Sequence, residues 1–327
     1  MKKILFTAMI LSMAFGSISA KRYFVSTKGT GNGSSWAQAF GDLQHALAAA
    51  AMGDEIWVAG GTYRPSSADD PTVSFRIPSG VALYGGFIGT ESQLTERNWQ
   101  LHRTVLSGNL GEPTDSSDNS HTIVYFDRVS TATTLDGFVL TGGTAKGFVR
   151  GADPIVVGGA IFNNGANGES SPTIRNCTFQ NNYAREGAAI YNHADQGKCE
   201  PSIINCKFLE NIADINGGAI YNNGDKGICN PKIINCEFEG NWATYGASIL
   251  NCGKSGICYP IIERSVFANN STGMSGSVVY NKQSENSKVY AIMIDCQIKQ
   301  NYSSVGSNIE NNNKRYAPKT GTGIDQK

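Results

Sequence analysis

A six-residue signature returns through the second half of this 327-residue chain at steps of 29, 30, 29, 30 and 30 residues. Gly158-Gly-Ala-Ile-Phe-Asn reappears, with substitutions, from Gly187, Gly217, Gly246, Gly276 and Gly306. A second signature keeps phase with it: Phe179 and Asn182, Phe208 and Asn211, Phe238 and Asn241, Phe267 and Asn270, and a degenerate Ile298 and Asn301. Two signatures in step over successive copies mark an internal repeat, and a period near 30 residues means a solenoid. Helical repeats are excluded, since the copies hold Gly-Gly pairs and β-branched clusters rather than Ala, Leu and Glu runs. A leucine-rich repeat is excluded too, because Leu209 and Leu250 are the only leucines after Gly158. What remains are short β-rich segments such as Ser202-Ile-Ile-Asn-Cys-Lys-Phe208, separated by Asn/Gly turns. Three such strands and their turns fill one coil. Stacked coils form a single-stranded right-handed parallel β-helix, an all-β solenoid with about 4.8 Å between rungs.

Within a coil, Ile203, Cys206 and Phe208 cannot all point inward along one straight strand of period two. A bend at Asn205 reconciles them, and Asn176 and Asn235 hold the same place. Asparagine tolerates left-handed backbone better than any residue but glycine. Stacked asparagines can also satisfy one another's amides. Residues 151–327 hold 25 asparagines against four in residues 1–150, and this wealth reads as structural rather than as a binding surface. The same bend puts Cys177, Cys206, Cys236 and Cys296 in one inward column, with Ser265 in the fourth coil. Buried thiols there behave as small hydrophobes and are expected to stay reduced. Cys199, Cys229 and Cys258 form a second column in the turns, with Cys252 six residues before Cys258. Cys252–Cys258 and Cys199–Cys229 are the candidate bridges.

Residues 1–20 have the layout of a signal peptide. Lys2-Lys3 precede an apolar run from Ile4 to Phe15, then small residues to Ala20. A cut after Ala20 leaves Ile18 at −3, whereas a cut after Ser19 puts Ser17 there. The apolar run is too short to span a bilayer, as is Ala46–Met52. No cysteine stands near the cut to carry a lipid. Secretion, with an extracellular or outer-membrane-associated destination, is the expectation. Removing Lys2 and Lys3 leaves 25 basic side chains against 27 acidic ones, which gives no footprint for nucleic acid.

Residues 21–150 read as an N-terminal cap followed by less regular coils of the same solenoid, and 151–327 as regular coils. Trp36, Phe40, Leu43, Leu47 and Ala50, spaced 4, 3, 4 and 3, describe one helical face behind Ser34-Ser35, with Gly53 beyond its end. Such a helix would cover the open end of the first coil.

The paired Gly-Gly-Ala-Ile and Phe-x-x-Asn signatures resemble the repeat of the polymorphic outer-membrane proteins. The block from Tyr23-Phe-Val through Gly31-Asn-Gly-Ser-Ser-Trp36 and Gly53-Asp-Glu-Ile-Trp-Val-Ala59 to Gly61-Thr-Tyr-Arg-Pro65 is similar to the start of secreted bacterial β-helix proteins of the pectate-lyase-like superfamily. The first resemblance implies adhesion, in relatives carried by an autotransporter barrel. No barrel-like series of alternating strands follows Gly306, so that mode of attachment is not expected from this chain. The second resemblance implies polysaccharide lyases and hydrolases. Those lyases use a Lys or Arg base together with a cation that neutralises the uronate. Both signatures consist of turn and core residues, so they speak for fold far more than for function.

Two strips could carry function. Hydrolysis of a glycosidic bond needs two carboxylates about 5–9.5 Å apart. Asp195 and Asp225 share one turn column, with His193, Lys226 and Lys254 beside them. Ordinary turn chemistry explains Asn223-Gly-Asp-Lys-Gly227 at least as well. The other strip follows each Phe-x-x-Asn: Tyr183, Ile212, Trp242, Ser271 and Tyr302. Small residues come next (Ala184, Ala213, Ala243, Thr272, Ser303), as inward positions would require. Alternation then sends Tyr183, Ile212, Trp242 and Tyr302 outward, where a rigid aromatic row suits a glycan or a partner protein. No Cys-x-x-Cys, P-loop, calcium-loop or Gly-x-Ser-x-Gly motif appears, so no metal or cofactor is expected. His45, His102 and His121 are scattered. The sequence favours a secreted or cell-surface module that binds glycans or surfaces. The rivals are a polysaccharide lyase or glycosidase and a purely structural surface protein.

Overall fold

The computed structural model describes residues 20–112, 114–147, 151–284 and 286–312, so the signal-peptide reading falls outside the described residues. The chain is an all-β parallel solenoid of the right-handed type, with one short α-helix between its first two strands. Its strands stack into five parallel sheets, and the first holds nine strands from Arg22–Val25 to Ile292–Ile294.

Each sheet is named most simply by what it turns inward. The first carries an aliphatic column: Ile56, Leu83, Leu135, Ile174, Ile203, Ile233, Ile262 and Met293 are partners from rung to rung. The chain then turns at Asn176, Asn205 and Asn235, each with φ of 53°, the left-handed corner expected of them. Arg264 and Asp295 make the same corner with φ of 46° and 52°. The second sheet carries Tyr63, Leu106, Leu140, Phe179, Phe208, Phe238, Phe267 and Ile298 in register. Because this column runs unbroken from Tyr63 into the regular repeats, the irregular first coils and the regular ones share one core. Phe179, Phe208, Phe238 and Phe267 are fully buried, with ring centroids 4.9, 4.6 and 4.7 Å apart and planes within 8°. The third sheet turns in the small column Ala145, Ala184, Ala213 and Ala243. The fourth turns in Ile161, Ile190, Ile220, Ile249 and Val279, and, two residues on, a buried column of asparagines. The fifth, of two-residue strands, turns in Cys199, Cys229 and Cys258.

Asparagine does more here than turn corners. Asn182, Asn211, Asn241, Asn270 and Asn301 form a ladder in which each Nδ2 donates to the Oδ1 on the next rung, at 3.0, 3.0, 2.9 and 2.9 Å. A second ladder joins Asn163, Asn192, Asn222, Asn251, Asn281 and Asn311 at 2.7–2.9 Å. Buried amides cost several kcal/mol when unpaired, and the 29–31-residue step supplies each interior member with an identical partner above and below, while at the ladder end Asn163 Oδ1 is buried without one.

The N-terminal cap differs from the single helical face that the 4, 3, 4, 3 spacing describes. Ser35 Oγ caps only a 3₁₀ turn, Trp36–Gln38. Phe40 is extended and bridges to Val25, and the α-helix is Leu43–Ala49, begun by Asp42, whose Oδ1 accepts from Gln44 N at 2.9 Å. Backbone pairing explains the break. Phe40 N donates to Phe24 O and Phe40 O accepts from Ser26 N, bonds that a helical Phe40 could not make. Leu43 and Leu47 of that face, joined by Ala46, are buried in the end of the core, but Trp36 packs outside it against Phe24 and Phe87.

All eight cysteines are unbridged in this structure. Cys177, Cys206 and Cys236 are buried on successive rungs, and their Sγ atoms lie 3.2–3.4 Å from the carbonyls of Arg175, Ile204 and Ile234. Burial, with neighbouring thiols behind it, pushes the Cys206 pKa well above the ordinary thiol value. A thiol without thiolate is a poor nucleophile. Mass mapping after alkylation in denaturant without reductant is expected to find Cys177, Cys206 and Cys236 as free thiols, while the folded protein leaves them unlabelled. A fully occupied Cys177–Cys206 bridge would overturn that assignment.

Candidate functional site

The third sheet presents one outward row. Tyr183, Ile212, Trp242, Ser271 and Tyr302 are consecutive rung partners. The inward alanines between them force these side chains out, by the alternation of a strand. Ile212 is 42% exposed, Trp242 36% and Tyr302 63%, so apolar surface lies open along this face. Tyr183 is half-buried and held: its hydroxyl donates to Asp214 Oδ1, and Lys146 Nζ stands 4.8 Å from its ring centroid. Burial, then Asp214, pushes the phenol pKa up to about 12, so Tyr183 stays a neutral donor. Such a row can stack against flat apolar faces of a ligand but holds no acid–base pair.

The turn strip sits elsewhere on the coil, at the end of the fourth sheet. His193 is the outward residue there, with its ring 5.9 and 6.0 Å from those of Phe162 and Tyr191. Burial lowers the imidazole pKa, even though Asp195 and Asp225 both pull it upward, so the ring is neutral at pH 7. His193 Nδ1 and Asp195 Oδ1 are buried without a hydrogen-bond partner. Asp225 behaves as a turn residue: its N–H donates to Asn223 Oδ1, and its Oδ1 accepts from Lys254 N at 2.6 Å. Lys226 is exposed at the left-handed corner with φ of 51°, and Lys254 is exposed one rung on. The structure thus gathers His193, Asp195 and Asp225 and leaves the two ammonium groups in solvent. Among the described residues no group of three or more His, Cys, Asp or Glu is placed to hold a metal ion.

Cys252 and Cys258, candidates for one bridge, stand in different surroundings. Cys252 packs on the outer aromatic cluster, with its thiol pKa pushed up to about 11 by burial and then by Asp225. Cys258 is buried with Cys199 and Cys229, and the latter two are rung partners.

That outer aromatic cluster was not anticipated. Phe162, Tyr191, Tyr221 and Leu250, each between an inward isoleucine and an inward asparagine, stack outside the fourth sheet under Val156 and Val157. Tyr191 and Tyr221 lie 4.9 Å apart with planes at 3°. The signal was the aromatic fifth residue of the Gly-Gly-Ala-Ile-Tyr-Asn motif, whose place is outward by alternation. Its cover, from residues 152–157 together with Tyr245 and Tyr280, turns it into core.

Segments 176–193 and 205–223 match the profile of the Chlamydia polymorphic membrane protein repeat. Two successive coils of the chain are thus similar to this repeat. Both matched segments run from the left-handed corner asparagine, through the buried phenylalanine and the first asparagine ladder, to the end of the fourth-sheet strand. The polymorphic membrane protein-like character of the fold therefore resides in the residues that build its coils. No curated protein matches the chain significantly. Of solved structures, a rhamnogalacturonan lyase aligns over 84% of this chain and 73% of its own, at 13% identity and a TM-score of 0.44. A pectate lyase aligns over 89% and 79%, at 14% identity and a TM-score of 0.40. Among the described residues no helix is long and apolar enough to cross a membrane.

Proposed function

We propose that the protein is an exported surface module that binds an extended glycan along the row of Tyr183, Ile212, Trp242 and Tyr302. The observation that supports this is the register: Tyr183, Ile212 and Trp242 on consecutive rungs of a rigid sheet and Tyr302 two rungs beyond, with Ile212, Trp242 and Tyr302 open to solvent. Trp242 and Tyr183 are two rungs and so about 10 Å apart. A preformed row loses little freedom when it engages a ligand. The repeat family points to the cell surface as the setting, and cleavage after Ser19 or Ala20 belongs to the same proposal. N-terminal mass mapping of the exported protein tests it, and a mature chain beginning at Met1 would refute export.

A glycan array identifies ligands, and calorimetry on the hits tests the row. Trp242→Ala is expected to weaken binding by about 1–3 kcal/mol, on the analogy of stacking on an aromatic platform, with little change in folding stability. Asp225→Asn is expected to leave binding intact. Unfolding by Trp242→Ala with residual binding unchanged would make the row a packing feature. The enzymatic alternative rests on His193, with its buried unpartnered Nδ1, beside Asp195 and Asp225. A reducing-end assay on the array hits decides it: glycan cleavage abolished by Asp225→Asn would replace the binding reading with a lyase or hydrolase.

A further inference from the structure

The outer side of the first sheet carries one row along the solenoid. Phe24, Trp57, Tyr84, Asp136, Arg175, Ile204, Ile234, Glu263 and Ile294 are partners from rung to rung. The protein covers the first part of this row with its own chain. Trp36, Phe87 and Leu94 pack on Phe24, Trp57 and Tyr84. Arg97 lies 5.3 Å from the ring centroid of Tyr84 and 5.2 Å from that of Trp99, with Nη2 2.6 Å from the buried Asp136 carboxylate. The cover stops there. A cavity of about 380 Å³ opens between Thr95 and Trp99 on one side and Arg175, Asn205 and Ile204 on the other. Ile204 at its wall and Ile234 one rung on are half-buried, Glu263 follows, and Ile294 after it is exposed.

The charge at this opening is unbalanced. Asp136 Oδ2 receives both Arg97 and Arg175, at 2.6 and 2.7 Å, while its Oδ1 accepts from Asn176 Nδ2. Two guanidiniums thus share one carboxylate. Arg97 is buried and also donates to the carbonyls of Gly85 and Asp136, whereas the Arg175 side chain is 41% exposed and meets Asp136 through Nε. Its outer edge faces the cavity with the geometry that receives a second carboxylate.

We propose that this face docks a peptide segment of a partner protein, with an acidic side chain on Arg175 and apolar side chains on Ile204 and Ile234. The occupant is a peptide because the molecule itself lays one, residues 92–101, on the preceding rungs of the same face, and the opening continues that path. It is acidic because of the surplus guanidinium. It is apolar beyond the acid because Ile204 and Ile234 offer apolar surface with no aromatic face between them on which a sugar ring could stack. This surface lies on a different sheet from the Tyr183–Tyr302 row, so the two readings stand or fall separately.

A random peptide display library selected against the full chain tests the proposal, followed by anisotropy titrations of the enriched peptides. Peptides pairing Asp or Glu with neighbouring apolar residues are expected. Arg175→Gln and Ile234→Lys should each weaken them by about tenfold or more, and Trp242→Ala should not. Arg175→Gln leaves Asp136 with Arg97 and Asn176, and Ile234→Lys touches none of these, so a folded variant is in hand either way. Failure to enrich any peptide overturns the proposal. So does enrichment of peptides indifferent to both variants, or of peptides without an acid.

Discussion

Replacing Phe208 with alanine is expected to destabilise the solenoid by about 3–5 kcal/mol. The side chain is fully buried, and its ring is stacked between those of Phe179 and Phe238 at 4.9 and 4.6 Å, nearly parallel to both. Truncation removes the transfer energy of the ring and two aromatic contacts, and leaves a void between rungs. Relaxation cannot close that void cheaply. The rungs above and below are fixed by strand pairing on the second sheet, by the asparagine ladder on one side and by the corner asparagines on the other. In a solenoid each coil contacts only its neighbours, so the loss should fall on the coils around position 208. Equilibrium unfolding in denaturant, with amide exchange read coil by coil, measures it. The same truncation at Ile298, half-buried in the last complete coil, should cost clearly less. Equal effects at the two sites, or a Phe208→Ala loss below about 1 kcal/mol, would mean that this column is not the core.

Much of the coil was legible because a solenoid makes its long-range contacts local in a folded index. A residue's neighbour in space is the same position one repeat on. Aligning Phe179 with Phe208, or Cys177 with Cys206, therefore identifies real contacts without any knowledge of the rest. The left-handed corner at Asn205 followed from a conflict of period, and chirality names the residues that can resolve it. The N-terminal cap lacked this advantage. Trp36, Phe40 and Leu43 have no repeated counterpart, and apolar spacing cannot see that Phe40 is claimed by Phe24 and Ser26 through backbone bonds. The helix therefore begins at Leu43, about two turns later than spacing alone implies.

The same distinction governs the functional surface. The outward direction of Tyr183, Ile212 and Trp242 is strand alternation beside an alanine column, which sequence displays. That Tyr183 is tethered to Asp214 and attended by Lys146 depends on loop geometry that it does not. Nor could the sequence show that the aromatic residues of the Gly-Gly-Ala-Ile-Tyr-Asn motif would be roofed by residues 152–157. The pairing of Arg97 with Asp136 spans 39 positions and joins an irregular loop to a coil, so no periodicity reports it.

Asparagine at two positions of one coil is expected to respond very differently to the same substitution, and this separates its two roles. Asn211 Nδ2 donates to Asn241 Oδ1 and to Phe179 O, both at 3.0 Å, and its Oδ1 accepts from Asn182 Nδ2 and from Asn182 N. Glycine at 211 removes all four contacts from a fully buried site. It strands the Asn182 N–H, at about 1–3 kcal/mol, takes one of two partners from Asn182 Nδ2 and from the Phe179 carbonyl, and leaves a void, so a loss of roughly 2 kcal/mol or more is expected. Asn205 is exposed at the corner with φ of 53°, and its amide reaches Asn176 Oδ1 only at 3.4 Å. Glycine there keeps the left-handed backbone and should change stability by only a few tenths of a kcal/mol. Alanine at 205 should cost about 1–2 kcal/mol, since a Cβ is strained in that geometry. Aspartate at 211 offers a sharper contrast, because it preserves the acceptor but buries a charge where a donor is needed, and it should be worse than glycine. Denaturant unfolding of the four variants reads the pattern directly. If Asn211→Gly is as mild as Asn205→Gly, the ladder contributes no net stability, and asparagine recurs in this repeat for its backbone alone.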